Sequence, residues 1–257
     1  ASFSREPAGK TWETVACADA MIARSMKHET PAPPELGSRD GLSYALFLPE
    51  GEPALGVVQL HGAGSAKENH FDFGRLARAN GVAALCLDSR GHGRSEGAFG
   101  PDAVDDVLAM CQLMRELAPR VAIRGSSMGG FLAIQAGARD PSLAAVAALC
   151  PAPEDLLLRG IRSGDLSDFA CDREATEPWL ESLDTYGAVG RLGPDTALLL
   201  LHARGDEQVP YAVSEQLHAA AHEPKRLLLF PGGHHRSLQH DLELQALTLR
   251  YIERAGG

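Results

Sequence analysis

Cysteine is scarce in this sequence and never spaced for metal or disulfide work. Cys17, Cys86, Cys111, Cys150 and Cys171 form an odd set without a C-x-x-C pair, which argues against both a disulfide framework and a zinc knuckle. Cys86 and Cys150 stand in apolar, strand-like runs and are expected to be buried as small hydrophobes. The histidines include no H-E-x-x-H spacing, so no metal site is expected. No apolar run approaches the roughly 18 residues of a membrane span. The N-terminal residues also lack a basic segment followed by an apolar stretch and a small-residue cleavage site, so the sequence predicts a soluble, cytoplasmic protein. Basic charge is short as well: 24 Lys and Arg stand against 34 Asp and Glu, a net charge of −10. With no block of like charge, a nucleic-acid surface is not expected and anionic partners find little to attract them.

What is present suits one large α/β domain with an insertion, since 257 residues at 44% hydrophobic content can bury a sizeable core but hardly two. Residues 1–35 have weak periodicity and end in Pro31-Ala32-Pro33-Pro34, an N-terminal extension with a short helix expected from Thr14 to Met26. Leu42 to Leu48 predicts an antiparallel edge strand. From Gly56 onward short apolar runs (Val57 to Leu60, Val82 to Leu87, Val121 to Ile123, Ala144 to Leu149, Ala197 to Leu201, Arg226 to Phe230) alternate with amphipathic segments, the last running from Leu238 to Ile252. Strands that are apolar on both sides and alternate with helices predict a mostly parallel sheet covered on both faces. The stretch from Leu149 to Ala197 breaks this rhythm, being far longer than the usual two to six residues of such a connection. Its prolines, glycines and apolar positions predict a small helical cap over residues 151–193, inserted between core segments 36–150 and 194–257.

The pentad Gly125-Ser126-Ser127-Met128-Gly129 follows a β-branched run and opens a helix-like stretch. A serine on such a strand-to-helix turn is exposed and lies next to free backbone N–H groups at a helix start, which makes Ser127 the candidate nucleophile. The frame centred on Ser126 would put Arg124 where the first glycine belongs. An attacking serine needs a base and a carboxylate, which on this kind of sheet follow at the carboxyl ends of later strands in the order Ser, Asp, His. Beyond Ala197 to Leu201 comes a loop with Asp206 and its neighbour Glu207. Beyond Arg226 to Phe230 come His234 and His235. The oxyanion needs preorganised donors, and the residue after the nucleophile offers the Met128 N–H.

The chain resembles serine hydrolases of the α/β-hydrolase superfamily from about residue 40 to the end. The resemblance rests on His61-Gly62-Ala63-Gly64, on Asp88-Ser89-Arg90-Gly91-His92-Gly93-Arg94-Ser95, on the serine elbow, and on the two loops carrying an acid and a histidine. The similarity is greatest to bacterial carboxylesterases, feruloyl-type esterases, monoacylglycerol-lipase-like enzymes and prolyl-oligopeptidase-like peptidases. It implies His235 as base, three residues after Gly232, and Asp206 as acid, four residues before Pro210. It also implies Ala63 N–H as the second oxyanion donor. His61 is expected to shape its loop, Asp88 and Arg90 to tie the next loop near the elbow, and His202 to serve packing.

These features imply an acyl hydrolase without a cofactor that cleaves small to medium esters through an acyl-enzyme on Ser127. A peptidase or acyltransferase would use the same triad; a peptidase would add a terminus anchor such as Glu174, Glu177 or Glu181. A non-catalytic ligand-binding protein on a hydrolase scaffold is the remote alternative. Leu157, Phe169 and Trp179 of the insert are candidate substrate contacts, and the insert's modest length predicts short to medium acyl chains.

Overall fold

The structure, a computed structural model, describes residues 32–255. Its eight strands are β1 Glu35–Arg39, β2 Leu42–Phe47, β3 Leu55–Leu60, β4 Ala83–Leu87, β5 Arg120–Ser126, β6 Ala145–Leu149, β7 Ala197–Ala203 and β8 Lys225–Phe230. They form one sheet in the order β1-β2-β4-β3-β5-β6-β7-β8. β1 pairs antiparallel with β2, and β2 with β4. All later neighbours are parallel. Every residue of β3, β4, β6 and β7 is buried, as expected of strands covered on both faces.

The covering helices are α1 Phe71–Ala79, α2 Ala103–Arg115, α3 Met128–Arg139, α4 Glu154–Ser163, α5 Arg173–Glu181, α6 Thr185–Val189, α7 Ala212–Ala220, α8 Ser237–His240 and α9 Leu242–Arg254. Phe73 of α1 and Leu249 and Ile252 of α9 share one core with Val57, Ala147 and Leu199. Met110, Phe131 and Leu217, from α2, α3 and α7, fill the other with Val58, Ile123 and Leu200. α3 is apolar all round, buried from Met128 to Gly137, because α2 and α6 flank it while β5 and β6 lie beneath. Among the described residues no helix is long and apolar enough to cross a membrane.

The sheet's register sets up the site. Ser126 pairs with Leu149, and Leu149 with Leu201, so β5, β6 and β7 end level. Ser127, Cys150 and His202 therefore emerge side by side at the carboxyl edge. Ala203 pairs with Phe230, which brings the loops after β7 and β8 together.

Three features differ from the sequence expectation. The strand near Leu42 is not the edge, because β1 covers it and is itself the edge. The turn between them has Asp40 at φ 53° and Gly41 at φ 77°, the pair of positive values that a two-residue hairpin turn favours. β1 is polar and mostly exposed, which leaves it without an apolar signature. The last amphipathic segment is broken at Asp241, whose carboxylate takes the N–H groups of Glu243 and Leu244 and starts α9 afresh. Within the insert, α6 packs against α3 and α7 as part of the helix layer. Residues 1–31, including the expected helix from Thr14 to Met26, lie outside the described residues.

Candidate active site

Ser127 sits at φ 54°, ψ −116° between β5 and α3, a left-handed strain that non-glycine residues adopt where surrounding structure enforces it. Both glycines of the pentad are fixed by close approach. A Cβ on Gly125 would overlap the Gly129 carbonyl, and one on Gly129 would lie 2.6 Å from the His61 carbonyl oxygen. The neighbouring Ser126 is buried, and its hydroxyl has no hydrogen-bond partner among the described residues.

The acid and histidine loops meet as the register dictates. Asp206 Oδ2 accepts from His235 Nδ1 at 2.8 Å, while Oδ1 accepts the N–H groups of Gln208 and Val209 at 2.9 and 2.8 Å. Burial opposes this carboxylate's charge, but hydrogen bonds from His202, His235 and the Val209 N–H outweigh it and hold the group well below the usual carboxylate range. With Nδ1 donating to Asp206, His235 keeps its lone pair on Nε2, the tautomer a base requires. Glu207 instead accepts the His235 backbone N–H at 3.2 Å. His234 is exposed and its Nδ1 accepts the Arg236 N–H at 3.3 Å. Ser127 and His235 line the same cavity, about 470 Å³ in volume, together with Gly62, Ala63, Leu157 and Val209. No hydrogen bond joins Ser127 Oγ to His235 in this structure; such bonds often tighten only once substrate is bound.

The Ala63 loop is clamped from below. His61 Nε2 accepts the Ser89 N–H at 3.0 Å, so its Nδ1 carries the proton and donates to Gly62 O at 2.7 Å. Asp88 accepts the Lys67 N–H at 2.7 Å, the Lys67 ammonium, and the Arg94 N–H at 2.9 Å. Both charges of the Asp88–Lys67 pair are buried. Arg90 ties the same loop to α2 through a two-pronged pair with Asp106. The N–H groups of Ala63 and Met128 have no protein acceptor among the described residues, and a Cβ on Gly62 would lie 3.4 Å from Ser127 Cβ. The oxyanion-loop candidate and the nucleophile candidate are thus adjacent.

Two residues that the sequence reading did not single out, Lys67 and Arg124, and one that it assigned to packing, His202, support this arrangement. The signal for Lys67 was only its position after the His61 loop. Arg124, fully buried in β5, donates to Gln59 Oε1 at 2.7 Å and to Gln239 O at 3.3 Å, above the Phe73 ring. It joins the strand that delivers Ser127 to the helix that follows His235, and burial lowers its guanidinium to about 10. An arginine inside an apolar strand run was the available clue. His202 does more than pack: Nδ1 accepts from the Ser214 hydroxyl at 2.7 Å, and Nε2 donates to Val209 O at 2.9 Å, which shapes the acid loop. The donor atoms of Cys150, His202 and Asp206 lie within 4.8 Å of one another, but both ring nitrogens of His202 are already engaged.

The insert divides its residues between two tasks. Leu156, Leu157 and Leu166 line the cavity. Phe169 and Trp179, expected as substrate contacts, are not among the lining residues. Phe169 stacks on His92 with centroids 4.2 Å apart, and Trp179 meets Phe99 and Phe131 edge-on. Backbone bonds from Ala170 N–H to Gly91 O and from Phe99 N–H to Ala170 O draw both rings into this inner cluster. Glu177 and Glu181 pair with Arg162, and Glu177 also with Arg173. They line a separate crevice with Glu174.

The aromatic cluster gives the fold a pH dependence. Burial, with the neighbouring His61, pushes the His92 imidazole down to about 4. A depressed histidine contributes stability that is complete above its unfolded value of about 6.5 and is lost as the pH falls toward the folded value. His92 alone should cost on the order of 3 kcal/mol across that window, and buried His70, also lowered, acts in the same direction. The urea midpoint should therefore fall steeply between pH 7 and pH 4.5. A level or rising midpoint would contradict this.

The chain carries the α/β-hydrolase fold. Its residues 51–158 match the model of a hydrolase family described as serine aminopeptidase, S33. The chain is 26% identical over 191 residues to the uncharacterized protein YfhR of Escherichia coli O157:H7, a match covering 70% of this chain and 62% of that relative's length. Among solved structures, Est1E of Butyrivibrio proteoclasticus with ferulic acid bound superposes with a TM-score of 0.69 at 21% identity, over 86% of this chain and 98% of that one. A soluble variant of monoglyceride lipase from Saccharomyces cerevisiae, in complex with a substrate analogue, superposes with a TM-score of 0.69 at 14% identity, over 88% and 97%.

Proposed function

We propose that this protein is a serine hydrolase that cleaves carboxylic esters of small to medium size. The observation that carries the reading is the Asp206–His235 hydrogen bond, on a histidine that shares its cavity with Ser127. In this reading Ser127 attacks the ester carbonyl and His235 Nε2 takes its proton. Asp206 holds the imidazolium, and the N–H groups of Ala63 and Met128 meet the oxyanion. His235 then passes the proton to the departing alcohol and later activates water against the acyl-enzyme.

The ester reading is supported by the neighbours bound to ferulic acid and to a lipase substrate analogue. An aminopeptidase needs a free acid to hold the substrate's amine. Glu177 and Glu181 are consumed by arginines, and among the described residues Asp165 is the one carboxylate in the cavity lining.

A panel of p-nitrophenyl esters of increasing acyl length, beside aminoacyl-nitroanilides, tests the proposal. Each added methylene should help by about 0.8 kcal/mol until the α4 wall is met, after which overpacking reverses the trend. The nitroanilides should turn over at least a hundredfold more slowly than the best ester. A steady rise to long chains with a jump above the solubility limit, or faster nitroanilide cleavage, would contradict it.

A further inference from the structure

The cavity reverses the charge balance of the chain. Acids outnumber bases 34 to 24 overall, yet the cavity is lined by Arg159 and Arg236 against Asp165. The Asp165 carboxylate already accepts the Ser163 hydroxyl at 2.7 Å. Arg159 reaches Asp155 only at 3.8 Å, with both side chains largely exposed. Arg236, next in chain to His235, is exposed, and its guanidinium has no ion-pair partner among the described residues. The uncharged amides of Gln208 and Gln239 and the apolar side chains of Leu156, Leu157 and Leu166 also line it.

We infer that the leaving-group end of the cavity takes an anion, so that the preferred substrates are acyl esters whose alcohol part carries a carboxylate bound by Arg236, with Arg159 in support. The inference rests on the serine-hydrolase reading above and deepens it. In acylation the Ser127 Oγ–carbonyl bond forms and the carbonyl–alkoxy bond breaks. The serine proton passes through His235 Nε2 to the departing oxygen, so the alcohol must lie against His235, in the cavity that Arg236 also lines. An arginine fork matches a carboxylate in two parallel hydrogen bonds, roughly twice as strong as neutral ones. In this reading the cavity departs locally from the expectation, set by net charge, that anions find little to attract them.

The test compares 3-(butyryloxy)benzoate with 3-(butyryloxy)benzamide, esters of equal size whose meta groups change the leaving oxygen little. The native protein should favour the benzoate in kcat/KM by about tenfold, a difference of ~1.4 kcal/mol. Arg236→Gln should bring the ratio close to one, Arg236→Lys should restore part of it because a point charge replaces the fork, and Arg159→Gln should lower it less. Free 3-hydroxybenzoate should inhibit native protein more strongly than 3-hydroxybenzamide, and this difference should vanish in Arg236→Gln. Equal rates for the two esters in native protein, or a preference that survives Arg236→Gln, would overturn the inference while leaving the hydrolase reading intact. Failure to cleave either ester, together with no fluorophosphonate labelling of Ser127, would overturn both.

Discussion

Ser127→Ala should lower kcat for p-nitrophenyl esters by about 10⁶, the scale on which an activated serine contributes. The folded state should barely change, because the Ser127 hydroxyl makes no hydrogen bond among the described residues and its positive φ strains either side chain. Stability should shift by no more than ~1 kcal/mol. Ser126→Ala is the matched control. It removes a buried hydroxyl without a partner, so activity should persist and stability should stay level or rise slightly. Steady-state kinetics and urea midpoints on the two variants check the pair. A silent Ser127→Ala with an inactive Ser126→Ala would reverse the assignment.

The second large effect is expected at the acid and base. In Asp206→Asn a carboxamide replaces the acceptor of the His235 Nδ1–H. Its own N–H can donate to Nδ1, which moves the ring proton to Nε2 and leaves no lone pair for the serine. Such a change of tautomer costs about 10⁴ in kcat. His235→Ala should cost more, about 10⁶, while His234→Ala should leave most of the rate, since His234 is exposed and away from the Asp206 carboxylate. Glu207→Gln should likewise be mild, because Glu207 holds only the His235 backbone. The measurement is kcat for a short-chain ester across the four variants. A larger loss at Glu207 than at Asp206 would contradict the geometry.

Much of the fold was legible in the sequence because parallel strands covered on both faces must be apolar throughout. The runs at Val57, Val82, Val121, Ala144 and Ala197 therefore stood out, while the edge strand β8, only half-buried, stood out by its run of leucines. β1 escaped for the opposite reason: an exposed edge strand carries no burial pattern, and only the Asp40-Gly41 turn signalled a hairpin. At the candidate site, Ser127, Asp206 and His235 could be nominated from the sequence because the chain order of the sheet confines each to a strand end. The supporting contacts could not be found in this way. The Lys67–Asp88 pair, the link from Arg124 to Gln239 and the two bonds of His202 each span elements distant in sequence, and no local pattern encodes them. Phe169 and Trp179 show the same limit. Their hydrophobicity predicted burial, but the backbone pairing of Ala170 with Gly91 and Phe99 decided that they turn toward His92, Phe99 and Phe131 rather than into the cavity.

The central claim is that Ser127 is an activated nucleophile held by His235 and Asp206. Reaction with a fluorophosphonate, followed by mass spectrometry of the peptide containing Ser126 and Ser127, tests it most directly. The account predicts one adduct per chain on Ser127, absent in Ser127→Ala and slowed by several orders of magnitude in His235→Ala. An adduct on Ser126 or elsewhere, or labelling undiminished in either variant, would contradict it.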